Sequence, residues 1–195
     1  MGKKVGVDMD GVLARCHDAI AYRLKTDLGI ELHPDEIDYG FDIMSDRFDV
    51  DRSWVPKNLF TDDWFWATLK PYEENILALR RWADEGHEIH VVTGRSADAA
   101  KIVTKKWLER QEVPVRGLHF ARIMSKHKVL LQNEIPVMFE DMFFEANKIA
   151  AFGIKSFIVR RNHNIAYEQR ITNPLVTYVT ELMDADDYIN DRISV

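Results

Sequence analysis

The chain has 195 residues, 46% hydrophobic and 30% charged, a composition typical of a globular domain with a sizeable core. Its net charge of −6 argues against tight binding to long nucleic acid, which needs a basic surface. A small anionic substrate remains compatible if a bound cation reverses the local field. With Cys16 as the single cysteine and no apolar run near the roughly 20 residues of a membrane helix, a cytoplasmic location is expected.

The first predicted strand, residues 5–7, ends in two carboxylates, Asp8 and Asp10. Residues i and i+2 of a strand face the same way, so both carboxylates would project from its carboxyl end, where open α/β sheets bind ligands. Gly11 then permits a sharp turn. Two carboxylates this close repel each other unless a cation lies between them or one holds a proton. The pair therefore suits a divalent metal, or a nucleophile beside an acid.

Residues 15–70 separate the first strand from the next by too much chain for a normal crossover. A helix is predicted from about residue 17 to residue 28, ending at Gly29. The whole segment is interpreted as an inserted helical cap. Residues 1–14 and 71–195 would then form the core.

From residue 71 onward the pattern alternates helix and strand, beginning with Pro71 in the first turn of a helix and with Ser125 as a later helix cap. The predicted strands are residues 88–92, 118–120, 137–139 and 156–159, the last being the final strand of the sheet. Helices between strands indicate a parallel sheet covered on both faces. The expected fold is α/β: a Rossmann-like three-layer parallel sheet with a small helical cap after the first strand.

Further polar residues follow the later strands. Thr93 offers a hydroxyl and Gly94 an accessible backbone N–H just before a helix, and these are groups that bind phosphate. Glu140 and Asp141 end an apolar strand, which is unfavourable unless a cation is near. Because the carboxyl ends of parallel strands meet at one edge, these residues are expected to converge with Asp8 on a catalytic site.

The order of these motifs resembles that of the haloacid dehalogenase superfamily of phosphatases, which use an aspartate nucleophile. This resemblance covers the chain from Val5 to about Tyr178. Within the superfamily, the chain resembles the 5'(3')-deoxyribonucleotidase-like family. The matching segments are Val7-Asp8-Met9-Asp10-Gly11-Val12-Leu13, Lys70-Pro71-Tyr72, Val92-Thr93-Gly94-Arg95, Phe139-Glu140-Asp141 and Arg160-Arg161-Asn162-His163-Asn164. A Rossmann-like fold and phosphoester hydrolysis are the expectations that this resemblance implies.

The resemblance also implies roles for individual residues. Asp8 would attack phosphorus and form an aspartyl-phosphate, while Asp10 would protonate the leaving alcohol and then deprotonate the attacking water. Mg²⁺ would be held by the Asp8 carboxylate, the Asp10 backbone carbonyl and Asp141. Thr93 and the Gly94 N–H would hold phosphate oxygens.

Two lysines compete for a further implied role, the neutralisation of Asp8 and of the transferring phosphate. Lys126 lies fourteen residues before Glu140, the spacing expected of relatives, and is favoured over Lys128, which stays the alternative. Glu140 is implied as an acid that orients metal-bound water.

The predicted function is Mg²⁺-dependent hydrolysis of phosphomonoesters, with (deoxy)nucleoside monophosphates as substrates of a 5'-nucleotidase. Phe41, Trp64 and Trp66 could stack on a base, and Phe41 and Trp64 are the predicted substrate contacts. The alternatives are a phosphatase for a sugar or another small metabolite, a polynucleotide 3'-phosphatase that the acidic charge disfavours, and a non-catalytic phosphate-binding module. The expected partner is a small phosphorylated substrate, with pairing of two subunits through cap aromatics as an option.

Overall fold

The computed structural model describes residues 2–37, 41–95 and 98–192. Its strands are β1 (Lys4–Val7), β2 (Glu88–Thr93), β3 (Val115–Phe120), β4 (Val137–Glu140), β5 (Lys155–Val159) and β6 (Val176–Val179). Its α-helices are α1 (Cys16–Leu28), α2 (Asp42–Phe48), α3 (Trp54–Asn58), α4 (Asp63–Ala67), α5 (Glu73–Asp84), α6 (Asp98–Arg110), α7 (Lys126–Gln132), α8 (Phe143–Ala150), α9 (Asn162–Ile165) and α10 (Asp186–Ile189). The strands form one parallel sheet in the order β3-β2-β1-β4-β5-β6.

Side chains that alternate along the strands supply an apolar layer on each face of this sheet. On one face, the ring of Phe139 in β4 packs against Trp82 of α5, with 5.5 Å between ring centroids. On the other face, Met138 of β4 and Val92 of β2 pack with Leu130 of α7. Helices therefore cover both faces, and the predicted three-layer α/β fold is confirmed.

The segment from residue 15 to residue 70 contains α1 to α4 and, within its described residues, no strand. Helix α1 ends where predicted, because Gly29 takes a left-handed conformation with φ of 69°. The predicted helical character of this segment is thus confirmed. Among the described residues of the whole chain, no helix is both long and apolar enough to cross a membrane.

The prediction that residues 156–159 form the final strand is wrong, because β6 follows and pairs in parallel with β5. β6 has four residues and lies at the edge of the sheet, and Thr177 within it is exposed. A run this short carries too few apolar positions to be separated from a loop by its pattern alone.

Two predicted helix starts also differ. Pro71 precedes α5 instead of opening it, because it forms an antiparallel bridge with Ala14 and the next residue, Tyr72, donates to the carbonyl of Leu13 at 2.8 Å. Ser125 directly precedes α7, but its hydroxyl donates to the carbonyl of Arg122 at 2.7 Å and makes no capping hydrogen bond.

Candidate active site

The central position of β1 brings the polar ends of three strands together. Val7 is paired with Val91 of β2 on one side and with Phe139 of β4 on the other. The Asp8 N–H extends this pattern by donating to the Phe139 carbonyl at 3.0 Å. Because all three strands run in the same direction, Asp8, which follows β1, and Glu140, which ends β4, lie at one edge of the sheet.

Lys126, at the start of α7, joins the two acids at this edge. Its Nζ lies 2.9 Å from Asp8 Oδ1 and also donates to Glu140 Oε1. All three side chains are buried. Lys128, the alternative lysine, is exposed. The structure thus brings Lys126 to Asp8 and leaves Lys128 at the surface.

Two buried acids, Glu140 and Glu145, hold the lysine in place. Glu140 Oε2 accepts from the backbone N–H of Asp141 at 3.2 Å, which fixes its carboxylate. Buried Glu145 accepts from the N–H of Lys126 at 3.3 Å and from that of Met124. Glu145 therefore supports the start of α7, although no motif marks it in the sequence.

Asp141 is fitted closely against the turn that follows Asp8. Gly11 has φ of +75°, and a Cβ added to it would lie 1.6 Å from Asp141 Oδ2. A glycine is therefore required here both by the backbone conformation and by the approach of the carboxylate.

Burial dominates the electrostatics of these groups. The pKa of Asp8 rises to about 7 because burial penalises the charged carboxylate; Lys126 opposes this rise, and Asp141 and Asp10 add to it. Burial likewise raises the pKa of Glu140 well above its usual range. Burial alone would lower the pKa of Lys126, but the carboxylates of Asp8 and Glu140 raise it, so its ammonium group stays charged. More positive charge is needed before all these acids ionise together.

The donor set fits a divalent metal ion. Asp8, Glu140 and Asp141 each offer an oxygen, and these oxygens lie within 4.8 Å of one another. Ionised, the three carboxylates carry three negative charges against the single positive charge of Lys126. Oxygen donors of this kind are those that Mg²⁺ prefers. Two of the predicted carboxylate ligands, Asp8 and Asp141, are therefore brought together, with Glu140 beside them.

Asp10 forms an ion pair with Arg95, a contact that the sequence motifs do not predict. Arg95 Nε donates to Asp10 Oδ2 at 2.9 Å and Arg95 Nη2 donates to Oδ1 at 2.6 Å, so both carboxylate oxygens are occupied. Arg95 Nη1 donates to Thr104 Oγ1 at 3.0 Å, and the guanidinium lies over the Trp66 ring, 4.4 Å from its centroid. Arg95 belongs to a predicted motif, but its partner Asp10 follows β1 and lies 85 residues away in the sequence.

The two predicted phosphate contacts occupy different positions. Gly94 lines the cavity above the carboxylates. Thr93 is fully buried and its hydroxyl oxygen accepts from the N–H of Arg95 at 3.4 Å. Thr93 therefore shapes the turn that presents Gly94 and Arg95.

A cavity of about 450 Å³ joins this edge to the helical segment. Asp8, Asp10 and Lys126 are among the residues that line it. Its aromatic lining consists of Phe41, Phe60 and Trp66. Its size and mixed lining suit a small molecule with an anionic end and an apolar, flat end.

Of the two predicted substrate contacts, Phe41 lines this cavity and Trp64 lies outside it. Trp64 is 58% exposed and lines a separate surface groove with Arg23. Trp64 and Trp66 are two residues apart on α4, so their side chains point to different sides of the helix. Trp66 faces the cavity, and its Nε1 donates to the carbonyl of Phe60 at 3.0 Å.

The fold and this arrangement of carboxylates define a protein of the haloacid dehalogenase-like class. The chain superposes on a haloacid dehalogenase family hydrolase from Deinococcus radiodurans R1, solved with bound phosphate and sodium, with a TM-score of 0.68 and 15% identity over 97% of this chain and 96% of that one. It also superposes on the haloacid dehalogenase-like protein SP0104 from Streptococcus pneumoniae, with a TM-score of 0.64 and 12% identity over 96% and 98% of the two chains.

Residues 3–183 match the family model described as "5' nucleotidase, deoxy (Pyrimidine), cytosolic type C protein", and the chain belongs to this family. It is also similar to the "Putative nucleotidase BH1399" of Halalkalibacterium halodurans, with 28% identity over 116 residues. That match spans 53% of this chain and 58% of the length of the relative.

Proposed function

We propose that the chain is a Mg²⁺-dependent phosphomonoesterase that hydrolyses nucleoside or deoxynucleoside monophosphates. The observation that carries this proposal is the ion pair between Lys126 Nζ and Asp8, 2.9 Å apart, in the wall of a cavity that aromatic residues also line. The nucleotidase family to which the chain belongs supports the same reaction.

In the proposed reaction, an Asp8 oxygen attacks phosphorus and forms an aspartyl-phosphate while the bond from phosphorus to the leaving alcohol breaks. Asp10 gives its proton to that alcohol. It then takes a proton from the water that attacks the aspartyl-phosphate, which releases phosphate and restores Asp8. Lys126 offsets the charge on Asp8 and on the transferring group.

A bound Mg²⁺ would supply the positive charge that lets an anionic nucleophile approach a dianionic ester. Its proposed ligands are the Asp8 carboxylate, the Asp10 backbone carbonyl and Asp141. The Gly94 N–H is proposed to hold a phosphate oxygen. Glu140 is assigned to holding Lys126, since its carboxylate contacts that ammonium group directly.

Arg95 places a condition on the proton transfers, because it occupies both oxygens of Asp10. A guanidinium bound to both oxygens competes with a leaving group for the same carboxylate. We propose that Arg95 releases at least one Asp10 oxygen when substrate binds. The substrate phosphate, which a guanidinium also binds in a bidentate manner, is the natural second partner.

Residues 15–70 are proposed to act as a cap that selects the substrate, while the remainder of the chain carries the reaction. Phe41, Phe60 and Trp66, which form the aromatic lining of the cavity, all come from this segment. A nucleobase offers the flat surface that such side chains stack on, at about 1–3 kcal/mol per base. A sugar phosphate lacks that surface.

The test is phosphate release from a panel of 5'- and 3'-nucleoside monophosphates, their deoxy forms, sugar phosphates and a 3'-phosphorylated oligonucleotide. We expect Mg²⁺-dependent release from nucleoside monophosphates, abolished by EDTA. Acid-quenched enzyme should retain ³²P from labelled substrate, and Asp8→Asn should not. Release from sugar phosphates alone would contradict the nucleotide assignment, and release from no compound would leave a binding module.

A further inference from the structure

We propose that His17, His163 and Asp141 form a second metal site, specific for a divalent transition metal such as Zn²⁺. This second site would lie beside the cluster of carboxylates that is proposed to hold Mg²⁺, and Asp141 would be a ligand in both sites. It goes beyond the proposed hydrolysis and does not depend on it.

The three residues come from separate elements of the chain that meet at one point. His17 lies in the first turn of α1, Asp141 directly follows β4, and His163 lies in α9 after β5. One potential ligand atom from each lies within 4.8 Å of the other two. The His17 and His163 rings are 4.6 Å apart, centroid to centroid.

The distances are close to those of a metal-bound set. Zn²⁺ binds imidazole nitrogen and carboxylate oxygen at about 2.0–2.2 Å, so two tetrahedral ligand atoms are separated by about 3.3–3.6 Å. His163 Nε2 lies 3.4 Å from Asp141 Oδ2. His17 would complete the set after a small side-chain rotation that brings its nitrogen inward from a separation of at most 4.8 Å.

The donor chemistry separates this site from its neighbour. Two imidazoles and one carboxylate are a set that Zn²⁺, Fe²⁺ or Ni²⁺ binds readily, whereas Mg²⁺ prefers oxygen donors alone. Asp8 and Glu140 supply only oxygen. A carboxylate has two oxygens, so Asp141 can serve one ion on each side.

A simpler role for His163 would be to orient Asp141 by hydrogen bonding. The backbone carbonyl of Asp141 already accepts from Asn164 Nδ2 at 2.8 Å, so this group does not require the 3.3 Å contact of His163 Nε2. A role for His163 in orienting Asp141 also does not explain why the imidazole of His17 lies beside them. His17 lines the cavity, which provides a route by which an ion can enter.

The test is a Co²⁺ titration of chelator-stripped full-length protein in excess Mg²⁺, which saturates the carboxylate site, with visible absorption as the readout. We expect one Co²⁺ per chain with the intense bands of low-coordinate, nitrogen-ligated Co²⁺, and the same stoichiometry for Zn²⁺. His17→Gln and His163→Gln should each lose this site. His87→Gln is the control and should behave as wild type, because His87 precedes β2 at the amino edge of the sheet and contacts Lys3 and Asn190.

A third variant keeps the proposal testable if the glutamine variants fold poorly. In His17→Cys a thiolate replaces the imidazole as a ligand, and Co²⁺ should then give a new sulfur-to-metal charge-transfer band in the near ultraviolet. Circular dichroism and thermal unfolding check the fold of every variant.

Two results would overturn the second site. In the first, Co²⁺ binding in excess Mg²⁺ is the same in wild type and in the histidine variants. In the second, His163→Gln weakens Mg²⁺ and Co²⁺ binding equally, by the ~10–100-fold typical of a lost supporting contact, with no change in stoichiometry or spectrum. Neither readout uses phosphatase activity, so failure of the proposed function would be seen separately.

Discussion

Replacement of Lys126 by methionine removes a buried positive charge while keeping a side chain of similar length. Lys126 Nζ contacts both Asp8 and Glu140, and all three side chains are buried. The two carboxylates would lose the cation that they share. The matched control is Lys128→Met, because Lys128 lies two residues further along α7 and is exposed.

The expected size of the effect follows from the burial of the pair. Removal of one partner from a buried ion pair costs about 3–5 kcal/mol, because the other charge is left uncompensated. For a chain of this length, 1 kcal/mol corresponds to a shift of about 2–4 °C in Tm, so Lys126→Met should melt about 6–20 °C lower in EDTA. Loss of one charge-stabilising group in the site should also lower kcat by about 10²–10³-fold or more.

The assay is thermal unfolding in EDTA and in saturating Mg²⁺, with phosphate release measured well below Tm. Mg²⁺ should recover part of the lost stability of Lys126→Met, since it supplies charge to the same carboxylates, but should not recover its activity. Lys128→Met should match wild type in both. Equal Tm and equal turnover for the two variants would refute the assignment of Lys126.

Four further predictions concern other parts of the site. Asp8→Asn should abolish turnover and leave the circular dichroism spectrum unchanged; measurable multiple turnover would rule Asp8 out as the nucleophile. Arg95→Lys keeps the charge but not the bidentate geometry. Steady-state kinetics should show kcat reduced by up to ~10²–10⁴-fold, the contribution typical of acid–base catalysis. An unchanged kcat would mean that Arg95 does not act through Asp10. Trp66→Ala should lower kcat/KM for nucleotides about 5- to 150-fold relative to sugar phosphates, because ~1–3 kcal/mol of stacking is lost. Trp64→Ala should leave kcat/KM unchanged for both classes of substrate. Gly11→Ala should weaken Mg²⁺ binding measured calorimetrically, because the new Cβ would displace the adjacent carboxylate, and wild-type affinity would contradict the contact found there.

The parts of the fold that the sequence predicts well are those with strong local patterns. β1 is marked by a short apolar run. The helix before Gly29 is marked by the glycine, whose conformation ends it. The convergence of Asp8 and Glu140 also follows from the sequence, because parallel strands have their carboxyl ends at one edge of the sheet. The position of Lys126 beside them is implied only by the family resemblance. β6 was missed because its identity depends on pairing with β5, a non-local interaction.

The proposed cap shows a second limit of prediction from sequence. Composition shows that residues 15–70 are rich in aromatic side chains, but not which of them line the cavity. Trp64 and Trp66 are equivalent by residue type, yet only the orientation of α4 against the rest of the chain decides which one faces inward. That orientation depends on tertiary packing, which the sequence pattern of a helix as short as α4 does not encode.

The pairing of Arg95 with Asp10 is the clearest case in which tertiary structure changes the chemistry. In sequence, Asp10 belongs to one motif and Arg95 to another, 85 residues away. Their bidentate contact means that the proposed acid is engaged before substrate arrives. A phosphate that attracts the guanidinium would free Asp10 as it binds, so that the proton donor becomes available only when an ester is in place. Arg95 would thereby couple recognition of the phosphate to protonation of the leaving alcohol by Asp10. Thr104 and the Trp66 ring, which both contact the guanidinium, would hold the rest of the Arg95 side chain in place.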